Sequence, residues 1–146
     1  PFIELNDVVE RLAALPVSEI IALYGPDGYR KLEADALTEV SAKHGRCILA
    51  VAGGIVTNRE TYNRLINQFH TIWVQASPED HMARVRAQGD LRPMKGHVQV
   101  MDRLRDILNA RKLDYGRADI HLNTSNAREP MVLRSLLEII RQTGTK

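Results

Sequence analysis

Several features are scarce or missing in this chain, and each absence excludes something. Of 146 residues only Cys47 is a cysteine, so no internal disulfide can form and a reducing, cytoplasmic compartment is expected. Cys47 opens an apolar run, where packing and a reactive thiol are the two alternatives. The longest apolar runs, such as Ile48 to Ala52, are far too short to cross a bilayer, so no membrane partner is expected. Charge of one sign is also lacking: the formal net charge is +2, which gives no whole-domain case for nucleic-acid binding. The five histidines show no metal-ligand spacing, and there is no HExxH, so no metal site is expected. No Ser-His-Asp arrangement can be argued. No GxxxxGK[ST] occurs, so these residues alone offer no evident cradle for nucleoside triphosphate phosphates. Repeats, low-complexity segments and a signal-peptide pattern are absent too. The first residue is Pro1, and the chain opens directly into a strand pattern, so further residues are expected upstream.

What is present fits a soluble globular domain: 44% hydrophobic, 26% charged and 5% aromatic residues. A single domain over residues 1–146 is expected, long enough to bury about 70% of its unfolded surface. Short β-rich runs alternate with helical patterns, the signature of a parallel α/β sheet. The expected strands are Phe2–Leu5, Cys47–Val51 (buried on both faces), Thr71–Val74 and Ile120–Leu122, with Trp73 read as core. Asn6 or Asp7 is expected to cap a helix to about Ala14, and Ser18 to start another. The stretch Gly25-Pro26-Asp27-Gly28 reads as a turn. Helices are expected over Tyr29–Lys43, from Thr57 or Asn58 as cap, over Pro78–Ala87 behind Ser77, over Val98–Leu113 and over Glu129–Arg141. Gly89 to Gly96 reads as a loop. The whole predicts a three-layer α/β/α domain.

In an open parallel sheet, ligands lie beyond the carboxyl ends of the strands. Asn6-Asp7, Ala52-Gly53-Gly54, Ser77 and Thr124-Ser125 meet that condition. Gly53 and Gly54 permit close approach of a ligand to the backbone, or simply a tight turn. Arg30 and Glu33 share a helix face, as a site pair or as a solvated surface pair. Arg30, Arg92 and Arg111 are candidates for a cluster that binds a carboxylate or phosphate.

The segments PFIELND, YGPDGYRKLE, ILAVAGGIV, GDLRPMKG and ARKLDYGRAD, with Asn123-Thr124 in the last strand, together resemble the shikimate kinase family over essentially the whole chain. The resemblance implies a P-loop kinase-like sheet whose phosphate loop and first strand precede Pro1. It implies that ATP and Mg²⁺ are bound only if that upstream loop is intact; no cofactor is expected in these residues themselves. It implies a substrate site of Arg30 with its companion Glu33, the lid residue Arg92, the carboxylate clamp Arg111 with Tyr115, and the Ala52-Gly53-Gly54 loop.

The departures from the family pattern are informative. The Asp that would act as catalytic base is Asn6, the first glycine of a triple is Ala52, and Leu113 or its neighbour replaces a proline. This pattern resembles a subgroup more closely: transcriptional regulators with an N-terminal XRE-type helix-turn-helix and a kinase-like effector domain of the benzoyl-CoA-responsive type. That resemblance implies a sensor of an aromatic acyl-CoA, without catalysis, acting as a homodimer. DNA would be contacted only through the upstream domain. The alternative is part of an ATP-dependent shikimate kinase.

Overall fold

The computed structural model describes residues 1–89 and 97–144. They divide into two compact units, residues 1–69 and residues from 70 onward.

The first unit opens with strand β1 (Phe2–Glu4), followed directly by helix α1 (Leu5–Ala13). The strand is thus one residue shorter than the sequence suggested. Leu5 becomes the first helical residue because its side chain is buried, 1% exposed, with Val9 at 0% one turn on. Asn6 therefore stands inside the first turn. The residue before the helix is Glu4, and no side chain caps it. Ala14, in the left-handed region at φ 54°, closes α1.

Helix α2 (Val17–Lys43) contains the Gly-Pro-Asp-Gly stretch, which is not a four-residue turn. Only Gly25 leaves helical geometry, at φ 71° and ψ 176°, a region that glycine enters without a Cβ clash. Pro26 then restarts the helix at its first position, where its missing N–H has no partner to lose. Beyond the break, Tyr29, Glu33, Ala36, Leu37 and Val40 form one buried stripe at helical spacing. α1 packs on this helix. Burying Leu5, Val9, Ile20 and Leu37 contributes about 1.5–3 kcal/mol apiece.

Strand β2 (Ile48–Ala50) pairs parallel with β1, Phe2 opposite Ile48 and Glu4 opposite Ala50. Cys47 and Val51 lie outside it, and Ile48 is 45% exposed, so β2 is not buried on both faces. Among the described residues, β2 has β1 as its one partner strand. A 3-10 turn over Gly53–Thr57 follows, then helix α3 (Arg59–Gln68), capped as expected by Asn58, whose side chain accepts from the Thr61 N–H.

The second unit repeats the alternation. Strand β3 (Ile72–Gln75) pairs parallel with β4 (Ile120–Asn123), Trp73 opposite His121. Thr71 falls outside β3 because it closes a local pair with Asp119: each backbone N–H meets the other's side-chain oxygen, at 2.8 and 3.0 Å. Helix α4 (Pro78–Ala87) starts where Ser77 accepts from the Asp80 N–H at 3.1 Å. Helix α5 (His97–Tyr115) and helix α6 (Glu129–Gln142) complete the unit. Trp73 is half-buried rather than core, with Tyr115 5.4 Å and His121 5.2 Å from it between ring centroids. Cys47 is likewise half-buried.

Candidate functional site

The first unit gathers four of the residues singled out from sequence: Asn6 from α1, Arg30 and Glu33 from α2, and Gly54 from the turn after β2. Glu33 is fully buried, at 0% exposure, so the pair is not a solvated surface pair. Arg30 donates from Nη1 to Glu33 Oε2 at 2.8 Å, while its own side chain keeps 23% exposure. A buried carboxylate is thus neutralised by a guanidinium that still reaches solvent. A buried charge requires such a partner, since an unpaired one would cost several kcal/mol. One of the five guanidinium donors serves Glu33, and the fork geometry suits a carboxylate or phosphate.

Gly54 lies directly against Arg30, and a side chain there would displace the guanidinium. A Cβ there would stand 2.2 Å from Arg30 Nη2 and 3.1 Å from Cζ. Gly54 is therefore a close approach of backbone to guanidinium, beyond what a turn alone demands. Ala52 precedes the 3-10 turn as its N-terminal cap residue, and Gly53 is the first residue of the turn.

The residue that sequence reasoning missed is Tyr29. It read only as the start of a helical pattern, yet its hydroxyl donates to Asn6 Oδ1 at 2.7 Å and lies 3.3 Å from Glu33 Oε1. Its ring lies under the Arg30 guanidinium at 5.0 Å. The signal was available: Tyr29 and Glu33 are four apart, on one helix face. Burial, then the neighbouring Glu33 charge, pushes the Tyr29 pKa up to about 12. The hydroxyl therefore stays protonated near neutral pH.

Arg111 and Tyr115 belong to the second unit, both half-buried on α5, with Tyr115 stacked against Trp73. Arg92 lies outside the described residues. At the strand ends of this unit, Thr124 is a structural latch. It is 1% exposed, its Oγ1 donates to the Gln75 carbonyl at 2.7 Å, and Arg84 grips its hydroxyl and carbonyl at 2.9 and 2.8 Å. Ser77 and Ser125 are joined there too, the Ser77 N–H donating to Ser125 Oγ at 2.9 Å. Among the described residues no group of three His, Cys, Asp or Glu could hold a metal ion, and no helix is long and apolar enough to cross a membrane.

A buried acid thus holds an arginine against a glycine loop, on parallel α/β supersecondary structure. The solved structures with this fold include a shikimate kinase from Bacteroides thetaiotaomicron, with a TM-score of 0.82 and 22% identity over 97% of this chain and 84% of that one. Another is the shikimate kinase from Acinetobacter baumannii in complex with shikimate, with a TM-score of 0.78 and 22% identity over 97% and 79%. The shikimate kinase family model matches residues 1–141, and the chain belongs to that family. Among its curated relatives, the shikimate kinase of Symbiobacterium thermophilum is 29% identical over the whole of this chain and 84% of its own. That of Prochlorococcus marinus is 28% identical over 96% of this chain and 75% of its own.

Proposed function

We propose that this chain binds shikimate, or a closely similar hydroxylated carboxylate, as the ligand-binding part of a shikimate kinase-family protein. The observation that carries the reading is the buried Glu33 that fixes Arg30 against Gly54. A guanidinium held this way is prepaid in orientation for a carboxylate. The family match and the shikimate-bound relative support shikimate as the ligand class, and phosphoryl transfer from ATP as the accompanying reaction. ATP and Mg²⁺ would then be held by a phosphate loop that these 146 residues do not contain.

A second reading is favoured by one specific feature, Asn6. Phosphoryl transfer to a hydroxyl releases a proton, and the Asn6 amide cannot take it. Tyr29, with its pKa near 12, is no base at neutral pH either. In this reading the site binds without turnover. The domain senses an effector, such as an aromatic acyl-CoA, and controls an attached helix-turn-helix, acting as a homodimer.

Calorimetric titration of the full-length protein with shikimate and, separately, benzoyl-CoA, alongside an ATP-turnover assay, tests the proposal. Shikimate binding with ATP turnover supports the kinase reading. Benzoyl-CoA binding with neither shikimate heat nor turnover refutes it and leaves the sensor.

A further inference from the structure

The inference deepens the ligand-binding reading, rests on it, and concerns what keeps Arg30 in place. Arg30 meets Glu33 through one contact, Nη1 on Oε2 at 2.8 Å. A single hydrogen bond fixes one atom and leaves the rest of the guanidinium free to pivot about it. The side chain keeps 23% exposure, so water is open to that swing, and release into water regains rotamer entropy. Two neighbours oppose the pivot. The Gly54 backbone lies against Nη2, close enough to exclude a Cβ. The Tyr29 ring lies against the guanidinium carbon, with Cζ 5.0 Å from the ring centroid. That is inside the roughly 6 Å within which a ring face attracts a cation.

The ring is itself firmly seated. Tyr29 is 5% exposed, within the buried stripe of α2. At its far end the hydroxyl lies 2.7 Å from Asn6 Oδ1 on α1 and 3.3 Å from Glu33 Oε1. With either oxygen as acceptor, the ring is anchored at both ends.

We propose that Tyr29 is a positioning residue for ligand capture, whose ring face holds the Arg30 guanidinium against Glu33 and Gly54 without cancelling its charge. A neutral ring is the suitable third support. Glu33 already balances the one positive charge of Arg30, and a second carboxylate would leave the cluster negative and repel an anionic ligand. The ring attracts through its quadrupole and carries no net charge, so the balance is unchanged.

The test is shikimate titration of the full-length protein and of three variants: Tyr29→Phe, Tyr29→Leu and Tyr29→pentafluorophenylalanine. The fluorinated ring keeps nearly the outline of phenylalanine and reverses the charge of its face. Tyr29→Phe should keep its affinity within about twofold, although it loses the hydroxyl contacts and some stability in urea. Tyr29→Leu and Tyr29→pentafluorophenylalanine should each weaken binding about three- to tenfold. A merely structural tyrosine predicts otherwise: affinity would follow stability, and the two phenylalanine rings would bind alike. Equal affinity of the fluorinated and plain rings, or a loss in Tyr29→Phe as large as in Tyr29→Leu, would overturn the inference. Should Tyr29→Leu fail to fold, the fluorinated variant decides alone, because it fills the same space. Absence of shikimate binding by the unmutated protein would instead sink the ligand-binding reading, and this positioning role with it.

Discussion

Replacing Gly54 with alanine should damage both stability and binding, and the size of the effect can be worked from the structure. The new Cβ would stand 2.2 Å from Arg30 Nη2 and 3.3 Å from Nη1, so the guanidinium must move. Nη1 holds Glu33 at 2.8 Å. Arg30 is 23% exposed and can swing into water, whereas Glu33 is fully enclosed and cannot follow. Removing one partner of a buried pair costs about 3–5 kcal/mol. Arg30 is displaced rather than deleted, so part of the attraction survives. Alanine also restricts the unfolded chain, which returns about 0.4–1 kcal/mol. The expected net loss is about 1–3 kcal/mol, or roughly 3–10 °C in melting temperature for a chain of this size. Gly45→Ala is the control, because a Cβ there meets nothing within 4 Å. It should be neutral or slightly stabilising. Urea denaturation of both variants reads the stability, and shikimate titration reads the site, where Gly54→Ala should lose at least about tenfold in affinity. A Gly54→Ala protein as stable as the Gly45→Ala control, with unchanged affinity, would refute the close packing of Arg30 on the loop.

Three further outcomes are expected. Glu33→Gln keeps an acceptor for Arg30 and should cost only about 1 kcal/mol in urea denaturation, yet weaken shikimate binding several-fold because the charge that anchors the guanidinium is gone; unchanged binding would deny Glu33 its positioning role. Tyr29 should ionise near pH 12, seen as a step in ultraviolet absorbance that Tyr29→Phe abolishes. Its folded pKa is raised above the ordinary value, so the folded state holds the proton that the unfolded state releases, and stability should fall between about pH 10 and 12, by roughly 2–3 kcal/mol in total. Thr124→Val should cost about 1–3 kcal/mol, since it strips the buried hydroxyl that bridges Gln75 and Arg84; thermal melts that overlay the parent's would show the latch to be dispensable.

The sequence alone determined what local chemistry decides. Ser77 with Pro78, and Asn58, start helices where they were expected, because a cap is satisfied by a backbone N–H three residues away. The four strands were legible from their apolar runs, and Arg30 and Glu33 shared a face by spacing alone. Residue types and their order were enough to resemble the shikimate kinase family, whose membership the comparisons then showed. The finer reading as a regulator's effector domain came from the same residues and awaits the titrations above. Tertiary structure decided the rest, because it depended on what packs against what. Leu5 left the strand for the helix once α1 needed it in the core. The Gly-Pro-Asp-Gly stretch became a one-residue break because helices resume on both sides of Gly25. Arg30 and Glu33 ceased to be a surface pair once the packed unit left the acid fully buried. Gly54 acquired its reason only from a guanidinium 24 residues earlier in the chain. Tyr29 and Asn6, 23 residues apart, met through packing that no local periodicity encodes, because burial is a property of the assembled helices and not of any one segment.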